Sequence, residues 1–118
     1  MAQKKINIPE DFWTDTVQPV IVQGDTIPKF IFQIDIDIAG ATIKMQLYNE
    51  SYKVLDVGTD IGGITINNLN QFQIDTIPKE ENYLPVGELV GDLEVTFPDN
   101  TRSTLFKINM NILKDYTK

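Results

Sequence analysis

From Ala41 to Tyr48 the chain alternates without a break, Ile43, Met45 and Leu47 against Thr42, Lys44 and Gln46. A period of two sends successive side chains to opposite faces of a strand. This stretch therefore predicts a β-strand with one face buried and the other wet. The segments before it continue the pattern. Gln18–Gln23 reads as a short strand, with Pro19 favouring an edge or a strand start, and Gly24-Asp25-Thr26 as a turn. Ile27–Asp35 reads as a longer strand, with Phe30, Phe32 and Ile34 on one face and Lys29, Ile31, Gln33 and Asp35 on the other.

The same reading carries on to the C-terminal end. Tyr52–Val57, Ile64–Ile66, Gln71–Ile77, Glu88–Phe97 and Arg102–Leu113 are further strands. Between them lie polar or Gly/Pro-rich breaks at Asn49–Ser51, Gly58–Gly63, Asn67–Asn70, Pro78–Gly87 and Pro98–Thr101. In the last strand, Thr104, Phe106, Ile108, Met110 and Ile112 are expected to face inward and Leu105, Lys107, Asn109 and Asn111 outward. No segment carries a helical apolar stripe over three turns. About eight short strands, with turn signals roughly every 8–12 residues, make the chain all-β, a sandwich or a barrel. The expected core is Phe30, Phe32, Ile43, Met45, Leu47, Phe72, Ile74, Leu93, Val95, Phe106, Ile108 and Met110.

Residues 1–17 differ in character and are expected to form an N-terminal arm ahead of a single β-sandwich domain, residues 18–118. Pro9 followed by Glu10 and Asp11 predicts one helical turn. Phe12 and Trp13, the latter the sole tryptophan, either fold back to plug one end of the core or dock on a neighbouring subunit. The pentapeptide Asp25–Lys29 recurs as Asp75–Lys79, and Phe32–Asp35 as Phe72–Asp75. The two words change order between copies, so they are read as coincidence and not as a repeat.

Composition narrows the chemistry. A chain of 118 residues with 42% hydrophobic and 23% charged residues is sized and balanced for one globular domain. Ten basic against 17 acidic residues give a net charge of −7, which disfavours nucleic acid and anionic membrane surfaces as partners. No run is long and apolar enough to span a bilayer, and Met1–Lys5 is followed by no apolar signal region. The chain has no cysteine, which fits a reducing compartment, and no histidine. Catalysis would have to run on carboxylates. Asp35 and Asp37 would share a face if extended, a geometry that can hold Ca²⁺ or split two pKa values, but a solvated strand edge is the better account of them. The serines lack a histidine partner, and Gly58–Gly63 lacks phosphate-loop spacing. Tyr48, Tyr52 and Tyr83 are candidates for a ligand surface.

The order of words along the strands resembles a family. Val22-Gln23-Gly24-Asp25-Thr26, then Ile38-Ala39-Gly40-Ala41-Thr42 and Ile43–Leu47, resemble the "RGDT" turn, the "DLTGAT" bend and the "φ-x-φ-Q-φ" strand of phage and prophage virion proteins. Gly63–Ile66 resembles their "GxITI" strand, Leu84–Gly87 their "LPxG" corner and Gly91–Val95 their "YDLEV" strand. Gln23 stands where arginine is usual, Ile38-Ala39 where Leu-Thr is, and Val90-Gly91 where tyrosine is common. The resemblance spans Val20 to Ile112 and is similar to the small β-sandwich at the N-terminus of the upper baseplate protein of lactococcal-type phages. It implies a single immunoglobulin-like antiparallel β-sandwich and a non-enzymatic structural or adaptor role in a tail, baseplate or connector. The chain would be located in the virion after assembly in the host cytoplasm. The implied partners are other virion proteins or further copies of the chain, with no cofactor, no metal, no nucleic acid and no membrane. The candidate contacts are Phe12 and Trp13 in the arm and the Gly24-Asp25-Thr26 turn. A carbohydrate- or small-ligand-binding sandwich is the alternative.

Overall fold

A computed structural model of the chain describes residues 4–8, 16–17, 20–34 and 36–116. These residues carry ten strands: β1 (Lys4–Ile8), β2 (Thr16–Val17), β3 (Val20–Val22), β4 (Phe30–Ile34), β5 (Thr42–Asn49), β6 (Tyr52–Gly58), β7 (Ile64–Asn68), β8 (Gln71–Ile74), β9 (Gly87–Thr96) and β10 (Arg102–Leu113). The only helical element among them is a 3-10 turn, Lys79–Glu81. The eight strands from β3 onward are those expected from the alternation. The two additional strands lie in the N-terminal arm, where only a helical turn was expected. Residues 9–15, where that turn was placed, lie outside the described residues.

The strands form two layers. The smaller sheet has four strands in the order β1-β4-β8-β7, and the larger has six, β2-β10-β9-β5-β6 with β3 also on β10. Without β1 and β2, this order is the three-on-five arrangement of an immunoglobulin-like sandwich, in which an early strand crosses to lie beside the last. From β4 onward every strand pairing is antiparallel. The N-terminal segments are different. β1 runs parallel to β4, and β2 and β3 run parallel to β10 in one common register, Thr16 beside Lys107 and Val20 beside Asn111.

All twelve expected core residues are buried between the layers. Phe32 stacks on Phe72 across the smaller sheet, with centroids 5.1 Å apart, and on Phe106 of the opposite sheet at 5.0 Å. This triple stack ties the two layers at mid-height, and its offset geometry adds to the area the rings bury. The core also includes residues that alternation did not assign to it. Ile38, at the bend after β4, is fully buried, with its amide on the Leu69 carbonyl. Ile31 is buried although its face was expected to be polar.

Two further expectations need correcting. Leu105 was placed outward and is buried beside Phe106, while Thr104 was placed inward and lies opposite the outward Glu94. The cause is a register shift between Thr104 and Phe106: one extra residue in β10 reverses the facing of everything before it. The recurring pentapeptides also meet in space. Ile27 and Ile77, at matching positions in the two copies, exchange both backbone hydrogen bonds at 2.8 and 3.0 Å. That bridge extends the β4–β8 register past the strand ends. Each proline that follows occupies a non-bonded position of the ladder, where its missing N–H costs nothing.

Candidate functional site

Two surfaces emerge from this frame. The first is one pole of the sandwich, where the Gly24 turn, the loop before β9 and the end of β10 meet. Gly24 adopts φ +82°, a conformation open to glycine at no steric cost, and the Asp25 amide closes the turn on the Val22 carbonyl at 3.1 Å. The Gln23 amide donates to the Leu113 carbonyl at 2.7 Å. The carboxamide of Asn82, which is buried, donates to the Asp25 carbonyl at 2.8 Å and accepts from the Leu84 amide at 3.2 Å. These bonds hold Gly24, Asp25 and Thr26 outward, and all three are exposed. Around them Val20, Val86, Leu113, Tyr83 and Tyr116 leave apolar surface in solvent, Tyr83 at 86% exposure. Lys114 lies 5.6 Å over the Tyr116 ring.

The second surface is the outer face of the larger sheet, a concave trough of about 840 Å³ across β5, β9 and β10. Register places Lys44 opposite Glu94, Gln46 opposite Asp92, and Tyr48 opposite Val90, with Lys107 and Asn109 continuing the last two rows on β10. Lys107 reaches Asp92 at 3.4 Å, and the Asn109 amide donates to Glu88 at 3.0 Å. At its margin the Lys53 ammonium donates to Asp56 at 3.1 Å, and together with the Gln46 amide it holds that carboxyl below the usual aspartate range. The side chains of Glu50, Glu94 and Arg102 line the trough with no hydrogen bond or ion pair to another described residue. Glu50 tips the β5–β6 hairpin at φ +55°, a left-handed conformation unusual for its type.

The neighbouring strands β5 and β9 come unusually close beneath this trough. A Cβ on Gly91 would lie 1.8 Å from the Gln46 carbonyl oxygen, so position 91 admits no side chain without parting β9 from β5.

Of the residues singled out in the sequence, Gly24, Asp25 and Thr26 share one exposed turn, while Phe12 and Trp13 lie outside the described residues. Asp35 also lies outside them; Asp37 is exposed and accepts the Ala39 amide at 2.8 Å, an Asx turn at the bend. The three tyrosines are not gathered into one surface. Tyr48 lines the trough, whereas Tyr52 stands exposed on the edge strand and Tyr83 on the polar loop. The trough was missed because its lining comes from three distant segments. Each segment's outward residues were legible by alternation, but which of them stand side by side is set by register. Among the described residues no group of three or more carboxylates is placed to hold a metal. Compared with protein-family models and with curated proteins, the chain matches none.

Proposed function

We propose that the chain is a non-enzymatic structural or adaptor module of a phage particle, seated in a tail, baseplate or connector and acting through protein–protein contacts. The observation that carries the contact reading is the pole. A turn pinned by two backbone bonds and a buried asparagine presents Gly24-Asp25-Thr26 amid exposed Val86, Leu113 and Tyr83. Apolar groups carried on a backbone already held in place lower the ordering cost of binding, which favours an assembly contact. The family words Val22–Thr26 and Leu84–Gly87 both fall at this pole, and they support the virion assignment. Phe12 and Trp13 are the second proposed contact. The partners are other virion proteins or copies of the chain.

Immunogold labelling of purified particles with antibody to the chain tests the reading. Label confined to the tail or baseplate is the expected result, and particles free of the protein would overturn it. Replacing both Phe12 and Trp13 by alanine separates contact from core. Loss of assembly by a folded variant supports docking, and loss of the fold assigns the pair to the core.

A further inference from the structure

We propose that the trough on the outer face of the larger sheet binds a neutral oligosaccharide. This goes beyond the virion reading and stands apart from it. Its volume, about 840 Å³, is within the range of pockets that take small ligands, and its open length crosses three strands.

The lining selects the chemistry. Lys44, Arg102 and Lys107 are set against Glu50, Asp92 and Glu94, so the charges cancel within the trough although the chain carries −7. A polyanion meets no surplus of cations here and a repelling field around them. A sugar hydroxyl both donates and accepts. It therefore suits a surface on which carboxylates, amides, ammonium and guanidinium groups alternate at strand spacing. Glu50, Glu94 and Arg102 are unengaged, so binding breaks no internal bond of theirs. Tyr48 and Val90, opposite one another in register, form the apolar end on which the C–H face of a sugar ring rests.

The rest of the surface competes poorly for this role. The edge strands β6 and β7 each carry a register shift that spoils their pairing. The outer face of the smaller sheet has its amides bonded to each other.

The test is a titration of the ¹⁵N-labelled full chain, followed by amide chemical shifts. The neutral probes are maltohexaose, cellohexaose, chitohexaose and mannohexaose; a heparin hexasaccharide is the anionic comparator. Saturable shifts at Gln46, Tyr48, Val90 and Asn109 with at least one neutral probe, and none with heparin, are expected. Tyr48→Ala should weaken that binding roughly tenfold, and Tyr48→Phe should keep it. Should Tyr48→Ala lose its fold by circular dichroism, Arg102→Ala, at an exposed position, replaces it and should also weaken binding. Absence of saturation with every neutral probe, binding of heparin alone, or unchanged affinity in a folded Tyr48→Ala overturns the proposal. None of these outcomes bears on immunogold labelling, so the two readings fail separately.

Discussion

The two outer faces of the sandwich solve the same problem in opposite ways. On the smaller sheet Asn67 donates to Gln71 at 3.3 Å and Gln71 to Gln33 at 3.0 Å, an amide relay running from β7 through β8 to β4. Beside it Thr65 and Gln73 both donate to Asp75. Each of these side chains is bonded to a neighbour, and bonds aligned head to tail strengthen one another. On the larger sheet the cross-strand contacts are isolated pairs, Lys107 with Asp92 at 3.4 Å and Asn109 with Glu88 at 3.0 Å, and the side chains of Glu50, Glu94 and Arg102 meet none. One face is satisfied by itself and stabilises the fold. The other is left partly unsatisfied, and its free groups are available to something else.

The largest test removes what both faces rest on. Phe32→Ala deletes the centre of the aromatic stack and should cost about 3–5 kcal/mol by urea denaturation, loosening both sheets alike. Gly91→Ala should divide them. Its methyl group collides with the Gln46 carbonyl, so a loss of about 2–3 kcal/mol is expected, with amide exchange accelerated in β5 and β9 and not in β8. Gln71→Leu breaks the relay on the other side; it should cost about 1 kcal/mol and leave the trough unchanged. Equal exchange in both sheets for either of these last two variants would show the faces to be coupled.

The smallest effect is electrostatic. The Asp56 carboxyl is lowered in the folded chain, chiefly by the Lys53 ammonium. Its contribution is therefore present above the unfolded aspartate pKa of about 3.9 and is lost as pH falls through the lower folded value. Asp56→Asn should flatten the acid limb of a stability–pH curve below about pH 4, leaving the neutral region nearly unchanged because the pair is exposed. A full acid limb in that variant would transfer the effect to Asp99, whose carboxyl is lowered by the Thr101 hydroxyl and amide.

Alternation alone placed β5 and β10 and the twelve residues of the expected core, because a half-buried strand writes its burial into every second residue. It failed where the backbone leaves that rhythm. Leu105 sits at a bulge, which no composition announces, and Ile38 reaches the core from a bend. Lys4–Ile8 carries too short an alternation to declare itself a strand, and its partner β4 lies far along the chain. Of the functional surfaces, the Gly24 turn was legible because glycine and aspartate mark it chemically. The trough was not, since Lys44, Asp92 and Lys107 become neighbours only through register.

The parallel pairing of β3 with β10 has a mechanical consequence. Val20–Val22 lies near the start of the sandwich and Asn111–Leu113 at its end, side by side and pointing the same way. A pull on the two ends of the chain draws these strands past each other lengthwise. Their hydrogen bonds are then loaded together in shear, whereas an antiparallel terminal pair would open like a zipper, one bond at a time. β2 adds to the same ladder in the same register. A chain joined end to end with neighbours would meet tension with its strongest geometry.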